Sequence, residues 1–221
     1  MENLKVTPRP VNVAESEFTI HGTNPLLCQK LPRNRLVEDL DKWPTTLKKI
    51  TDELAWQYFK ANLYLDENNY VSFPAVAVKK AGEEGGRFIN GLAMNKIKGL
   101  FYINGNPPHG YVNICTPDGK PLEVPEYVED ISRKLNWEDS GLQVHPFVDM
   151  IHMKRGGAIP VCFAQIDPPW QMTFKVEWSP MATNPQEVAD IIENAGFYMG
   201  IGCRRTQRTG ERRFGNFTLI P

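Results

Sequence analysis

The sequence predicts an α+β domain built on an antiparallel sheet with its helices on one face. Two observations carry that prediction. Stretches of period-two apolar alternation and of helical periodicity follow one another as strand, helix, hairpins, strand, helix and strand, which is not a regular βαβ alternation. The 221 residues are 41% hydrophobic and 23% charged, with eleven Phe, seven Tyr and five Trp, the composition of a chain that buries an ordinary core.

Residues 1–10 carry Pro8 and Pro10 and read as an extended lead-in. Across 11–20, Val13, Phe18 and Ile20 stand apolar among Glu15, Ser16 and Glu17, a strand that residues 21–28 end in a glycine–proline turn. Residues 32–44 read as a charged loop. Residues 46–60 are helical, because Leu47, Ile50, Leu54 and Tyr58 recur near helical spacing. The period then changes: Leu63 and Leu65 alternate with Tyr64 and Asp66, and the run Asp66, Glu67, Asn68, Asn69 is turn chemistry ahead of Val71 and Phe73, so 61–73 forms a hairpin. Pro74 opens a short helix over 75–81 that Gly82, Gly85 and Gly86 stop.

Residues 97–103 and 110–115 read as strands about a turn at 104–108, and 117–145 as a polar connection. Residues 148–153 form a strand, and 172–178 a clearer one, with Phe174, Val176 and Trp178 alternating against Lys175 and Glu177. The best-defined element follows. Asn184 is an N-cap, Pro185 takes the first helical position, Glu187 lies three residues after the cap, and Val188, Ile191, Ile192 and Ala195 form one apolar stripe. Gly196 stands where a left-handed C-cap residue would, and 214–220 is a terminal strand. The simplest architecture is ferredoxin-like, one domain over 1–221 with a long insertion or connection at 105–145.

No run approaches the roughly 18 uncharged apolar residues needed to cross a bilayer, and no signal-peptide core follows Met1. The expectation is a soluble cytoplasmic protein. The four cysteines (Cys28, Cys115, Cys162, Cys203) form no Cys-x-x-Cys pair and read as free thiols. The four histidines (His21, His109, His145, His152) are as scattered, so neither a metal nor a cofactor is expected. No Walker loop, paired-carboxylate motif or His-Glu-x-x-His is present.

Charge is concentrated. The net charge is −1, yet 196–221 holds five arginines and one acid, Glu211, which is +4 and leaves about −5 for the rest. The segment runs from Gly200 and Gly202 through Arg204, Arg205, Arg208, Arg212 and Arg213 to Phe214 and Phe217. Glycines let a backbone pass close to a ligand, arginine forks match phosphate oxygens, and aromatic rings offer stacking faces. Three readings of the segment stay open: an anionic-polymer site, a solvated loop with its phenylalanines in the core, and a protein contact.

Lys154 and Arg155, followed by Gly156 and Gly157, would extend a basic surface if their strands lie beside the arginine segment. His152 with Lys154 could cleave RNA by general acid–base chemistry, although a strand histidine is more often simply packed. Lys79, Lys80, Arg87, Lys96 and Lys98 surround a second glycine-rich stretch and read individually as a solvated face.

Four stretches together carry a resemblance. They are the strand end at 20–27, the hairpin at 62–74, the strand between Trp170 and Trp178, and the capped helix running into Gly196, Gly200, Gly202, Arg205, Arg213 and Gly215. This order resembles a bacteriophage protein family, and the helix followed by a glycine-rich loop and strand is similar to the RAMP proteins of CRISPR systems. The resemblance implies a RAMP-like fold and RNA binding through the loop. It also implies work in an infected bacterial cytoplasm, in replication, recombination or counter-defence. The expected protein is non-enzymatic and binds single-stranded DNA or RNA, with self-assembly along the strand. The alternatives are an interaction protein that assembles through the arginines, a metal-independent ribonuclease, and a sponge for a nucleotide signal.

Overall fold

In β1 (Ala14–Gly22) and β9 (Gln171–Trp178) side chains alternate between a packed and an open face, and these two strands form the centre of the main sheet. The computed structural model describes residues 12–30, 51–89, 91–126, 137–152, 158–204 and 214–220. The sheet order is β10-β1-β9-β5, with β5 (Phe101–Asn104) and β10 (Phe217–Ile220) on its edges and every neighbouring pair antiparallel. Helices α2 (Ala75–Gly85) and α4 (Pro185–Asn194) join these strands as β1-α2-β5 and β9-α4-β10, the two split β-α-β units of a ferredoxin-like fold. Met172, Phe174, Val176 and Trp178 of β9 meet Val188, Ile191 and Ile192 of α4 in a single core.

Two insertions extend this frame. The first, between β1 and α2, carries β2 (Leu26–Cys28), α1 (Asp52–Asn62), β3 (Tyr64–Leu65) and β4 (Val71–Pro74). The second lies between β5 and β9 and carries β6 (Tyr111–Asn113), β7 (Val144–His152) and β8 (Ala158–Ile166). Strands from both build two further three-stranded sheets, β2-β8-β7 and β3-β4-β6. Helix α1 covers the first of these: the Asn62 side-chain amide donates to the Cys162 carbonyl at 2.9 Å, and the Cys162 thiol to the Ala55 carbonyl at 3.3 Å.

Several expectations change. The helix predicted over 75–81 continues to Gly85, because Gly82 and Gly85 lie where neighbours come too close for a side chain. A Cβ on Gly82 would stand 2.9 Å from the Phe101 ring, and one on Gly85 2.6 Å from the Ala195 backbone. Residues 97–100 belong to α3 (Met94–Leu100), not to a strand. Leu26–Cys28 is a strand where the sequence predicts a turn, and β8 is a strand that the sequence does not predict. Its middle position between β2 and β7 explains the unbroken apolar run Val161, Cys162, Phe163, Ala164, which shows no alternation. Gly196 does not end α4 in a left-handed turn: Ala195–Met199 adds a π-helical turn, and Gly200 takes the positive φ, +61°. The last strand begins at Phe217, three residues later than predicted.

Candidate nucleic-acid interface

The backbone that follows α4 is tied to β2 and to Gly215, just ahead of the last strand. Cys203 N–H donates to the Leu27 carbonyl at 2.8 Å, Ile201 N–H to the Gly215 carbonyl at 2.9 Å, and Gly215 N–H to the Pro25 carbonyl at 2.7 Å. Gly202 has φ +82°, and a Cβ there would lie 2.6 Å from both a Leu26 methyl and the Leu27 carbonyl oxygen. The missing side chain therefore serves close packing against β2. Asn216 secures the π turn by donating to the carbonyls of Gly196 at 2.7 Å and Phe197 at 3.1 Å.

Of the predicted site residues, Gly200, Gly202, Arg204 and Phe214 are described; Arg205, Arg208, Arg212, Arg213, Lys154 and Arg155 lie outside the described residues, as does the side chain of His152. Arg204 has φ +54°, pairs with Asp149 of β7, and sets its guanidinium 5.1 Å from the centre of the Phe163 ring. Burial lowers its pKa from the ordinary arginine value. Phe214 is 5% exposed, clustered with Leu27 and Phe163, its ring 5.9 Å from that of Phe147. So buried a ring has no open face for a base, which corrects the stacking role expected of it: it is an anchor.

Both anchors rest on the same hairpin. Arg204 and Phe214 bracket residues 205–213, and each packs on β7 or β8, which pair from Val144↔Ile166 to His152↔Ala158. Between His152 and Ala158 the sequence carries Lys154 and Arg155. Asp149, which holds Arg204, is three residues from His152, or about 10 Å along a strand. The chain thus leaves the described residues at His152, the end of β7, and at Arg204, which is paired to the same strand.

The open face of the main sheet is different. Opposed residues on it are Glu15↔Glu177, Glu17↔Lys175, Thr19↔Thr173 and His21↔Gln171, with Tyr102↔Glu177 towards the edge. Lys175 is bound to Glu15 at 2.9 Å, His21 Nε2 lies 2.7 Å from Gln171 Oε1, and three acids stand against one lysine. The central strands present no Phe, Tyr or Trp ring there. Tyr102, on the edge strand, already has Lys79 Nζ 4.4 Å from its ring centre. A face of net negative charge repels phosphates, which leaves the basic edge as the nucleic-acid candidate.

A groove of about 240 Å³, which no pattern in the sequence predicts, opens beside the Gly202 turn. Tyr64, Phe73, Lys80, Ile201 and Cys203 line it, and Lys30 Nζ stands 5.7 Å from the Tyr64 ring centre and 6.0 Å from that of Tyr111. Burial first, then the nearby Cys28, Cys203 and Tyr111, push the Tyr64 phenol up to about 12, so it stays a neutral donor. Lys80, a solvated residue by sequence, borders this groove, and nothing local in the sequence joins Tyr64 to Cys203.

His145 and Asp167 are engaged with each other structurally. His145 is fully buried, with Nε2 2.9 Å from an Asp167 carboxylate oxygen and Nδ1 2.9 Å from the Pro146 carbonyl. Among the described residues, no group of three His, Cys, Asp or Glu could hold a metal ion, and no helix is long and apolar enough to cross a membrane.

No protein-family model matches the chain. No curated protein matches it either. Among solved structures, it is similar to a chain in the cryo-EM structure of the Type III-B Cmr-beta bound to cognate target RNA, with 14% identity and a TM-score of 0.49 over 95% of this chain. The alignment spans 59% of that chain, so this protein matches about three-fifths of its length. It is also similar to Cmr6 from Pyrococcus furiosus, with 6% identity and a TM-score of 0.42, covering 95% of this chain and 98% of that one.

Proposed function

We propose that this protein binds single-stranded nucleic acid without cutting it, gripping phosphates along the edge where residues 205–213 and the β7–β8 hairpin tip leave the fold. The observation that carries the reading is the shared anchorage: Arg204 on Asp149 and Phe214 beside Phe147 bring both ends of the arginine segment onto the hairpin that holds Lys154 and Arg155. Arg205, Arg208, Arg212 and Arg213 would neutralise phosphates together with Lys154 and Arg155, with Arg204 anchoring the segment on Asp149. The acidic sheet face keeps the polymer at the edge. The phage resemblance gives the setting: an infected bacterial cytoplasm, in replication, recombination or counter-defence.

The test is fluorescence anisotropy with labelled single-stranded RNA, single-stranded DNA and duplex across a salt series. The wild type is expected to show a steep log–log salt slope and a preference for a single strand. Changing Arg205, Arg208 and Arg212 to Ala is expected to flatten that slope by about two to three, roughly one for each phosphate that is no longer neutralised. RNA incubated with the protein in EDTA is expected to stay intact. No binding at low salt would overturn the proposal.

One observation favours a second reading, assembly through the arginines. The exposed Glu15 and Glu17, with Glu177, give a neighbouring copy an acidic face that complements the basic segment. Light scattering after nuclease treatment separates the two: an oligomer that persists without nucleic acid supports assembly, and a monomer that assembles only on added strand supports the first reading.

A further inference from the structure

Beside the Gly202 turn, the groove combines three features that one nucleotide unit would use. Its floor is apolar, formed by Leu27, Phe73 and Ile201. Tyr64 forms an aromatic wall, with the Lys30 ammonium held near its ring. Lys80 supplies a second cation from α2, with the Glu84 carboxylate one turn further along lining the same groove. A volume of about 240 Å³ lies below the roughly 300 Å³ at which pockets for drug-sized ligands begin. The groove is therefore no larger than one base with its sugar needs, and too small for a folded oligonucleotide.

The groove also adjoins the described start of the arginine segment. Cys203 lines it, and the next residue, Arg204, begins the arginine segment. Rings stack on any base with little regard to sequence, and cations on the rim match a phosphate.

We infer that this groove receives a single unstacked nucleotide, its base against Tyr64 and its phosphate towards Lys30 and Lys80. The inference rests on the nucleic-acid reading above and adds to it the place where one base leaves the strand. Tyr64 also packs T-shaped against Phe73 and Tyr111, at 5.7 and 5.4 Å between ring centres, which holds its ring in place.

The experiment measures binding of adenosine 5′-monophosphate, adenosine and ribose 5-phosphate to the full chain by calorimetry and ligand-observed NMR. An oligonucleotide titration runs in parallel. The monophosphate is expected to bind more tightly than either fragment. Tyr64→Ala is expected to weaken it roughly 10-fold, within the range for loss of one base–aromatic stack, while Tyr64→Phe keeps the affinity. Lys80→Glu, at an exposed helix position, is expected to abolish the preference for monophosphate over adenosine without disturbing the fold. Equal affinity for monophosphate and ribose 5-phosphate would overturn the groove assignment, as would wild-type affinity in Tyr64→Ala. Should the oligonucleotide bind while the monophosphate does not, the groove assignment falls and the phosphate-gripping edge stands. Monophosphate binding without oligonucleotide binding would overturn the polymer reading instead.

Discussion

Gly215→Ala tests whether the arginine segment is held by the closure at its base. Gly215 has φ +66°, and a Cβ built on it would lie 1.9 Å from the Ile201 carbonyl oxygen, a backbone atom that cannot swing aside. Two hydrogen bonds meet at this residue, Ile201 N–H to its carbonyl at 2.9 Å and its own N–H to the Pro25 carbonyl at 2.7 Å. Placing a Cβ in the left-handed region costs about 1–2 kcal/mol. Moving the backbone to relieve the clash forfeits the two bonds, at about 0.5–1.5 kcal/mol each. The sum is about 2–5 kcal/mol, a large share of the 5–15 kcal/mol that holds a typical domain together. For a chain of this length that lowers Tm by roughly 4–20 °C. Urea unfolding followed by circular dichroism measures it, and strand binding should weaken alongside, since Phe214 shifts with its neighbour. A loss below about 0.5 kcal/mol would refute the reasoning, because it would mean that the turn has another conformation in solution.

Three further perturbations have definite outcomes. Burial pushes the Asp167 carboxyl up, but hydrogen bonds from His145 and Gln165 and the charge of His145 outweigh it and hold its pKa below the usual range. The stability this gives is present above the unfolded carboxylate value of about 4 and is lost as pH falls through the folded one, so Asp167→Asn should flatten the acid limb of stability against pH. His145→Ala should cost about 2 kcal/mol at pH 7 in urea unfolding, by leaving the half-buried Asp167 without its main donor. Asp149→Ala removes the carboxylate that anchors Arg204; stability should change by no more than about 1 kcal/mol, and strand binding at low salt should weaken, read by anisotropy.

The parts of the fold that were legible in the sequence are those whose stabilising partners are local. Helix α4 could be read because Asn184 Oδ1 accepts from the Glu187 N–H at 2.9 Å within its own first turn, and because Pro185 follows the cap. Strand β9 could be read because one face is packed and the other exposed, which imposes period two on its residues. Strand β8 could not, since β2 and β7 flank it and α1 covers it. Gly82 looked like a stop signal because its reason for being glycine, the Phe101 ring, sits on another element. The same divide runs through the site. Charge clustering made the arginine segment visible, but burial of Phe214 depends on Leu27, Phe147 and Phe163, and no local pattern announces that packing.

The division between frame and insertions explains why the candidate site lies at an edge. The ferredoxin-like frame offers an exposed sheet face, but in this chain that face carries Glu15, Glu17 and Glu177 and binds its one lysine internally. The described anchors of the basic edge come instead from the insertions: Asp149 and Phe163 hold Arg204, and Leu27 and Pro25 accept from the turn. The groove repeats the pattern, with Tyr64 and Phe73 from the first insertion set against Ile201 and Cys203 of the closing turn. Since β2 pairs with β8, a shift of the hairpin would move Leu27 and with it the hydrogen bond to Cys203. Grip on the phosphates and the shape of the groove are therefore mechanically linked. Loosening β2–β8 pairing, for instance with Leu27→Ala, should weaken strand and mononucleotide binding together, whereas changes on the open sheet face, such as Thr173→Ala, should leave both untouched.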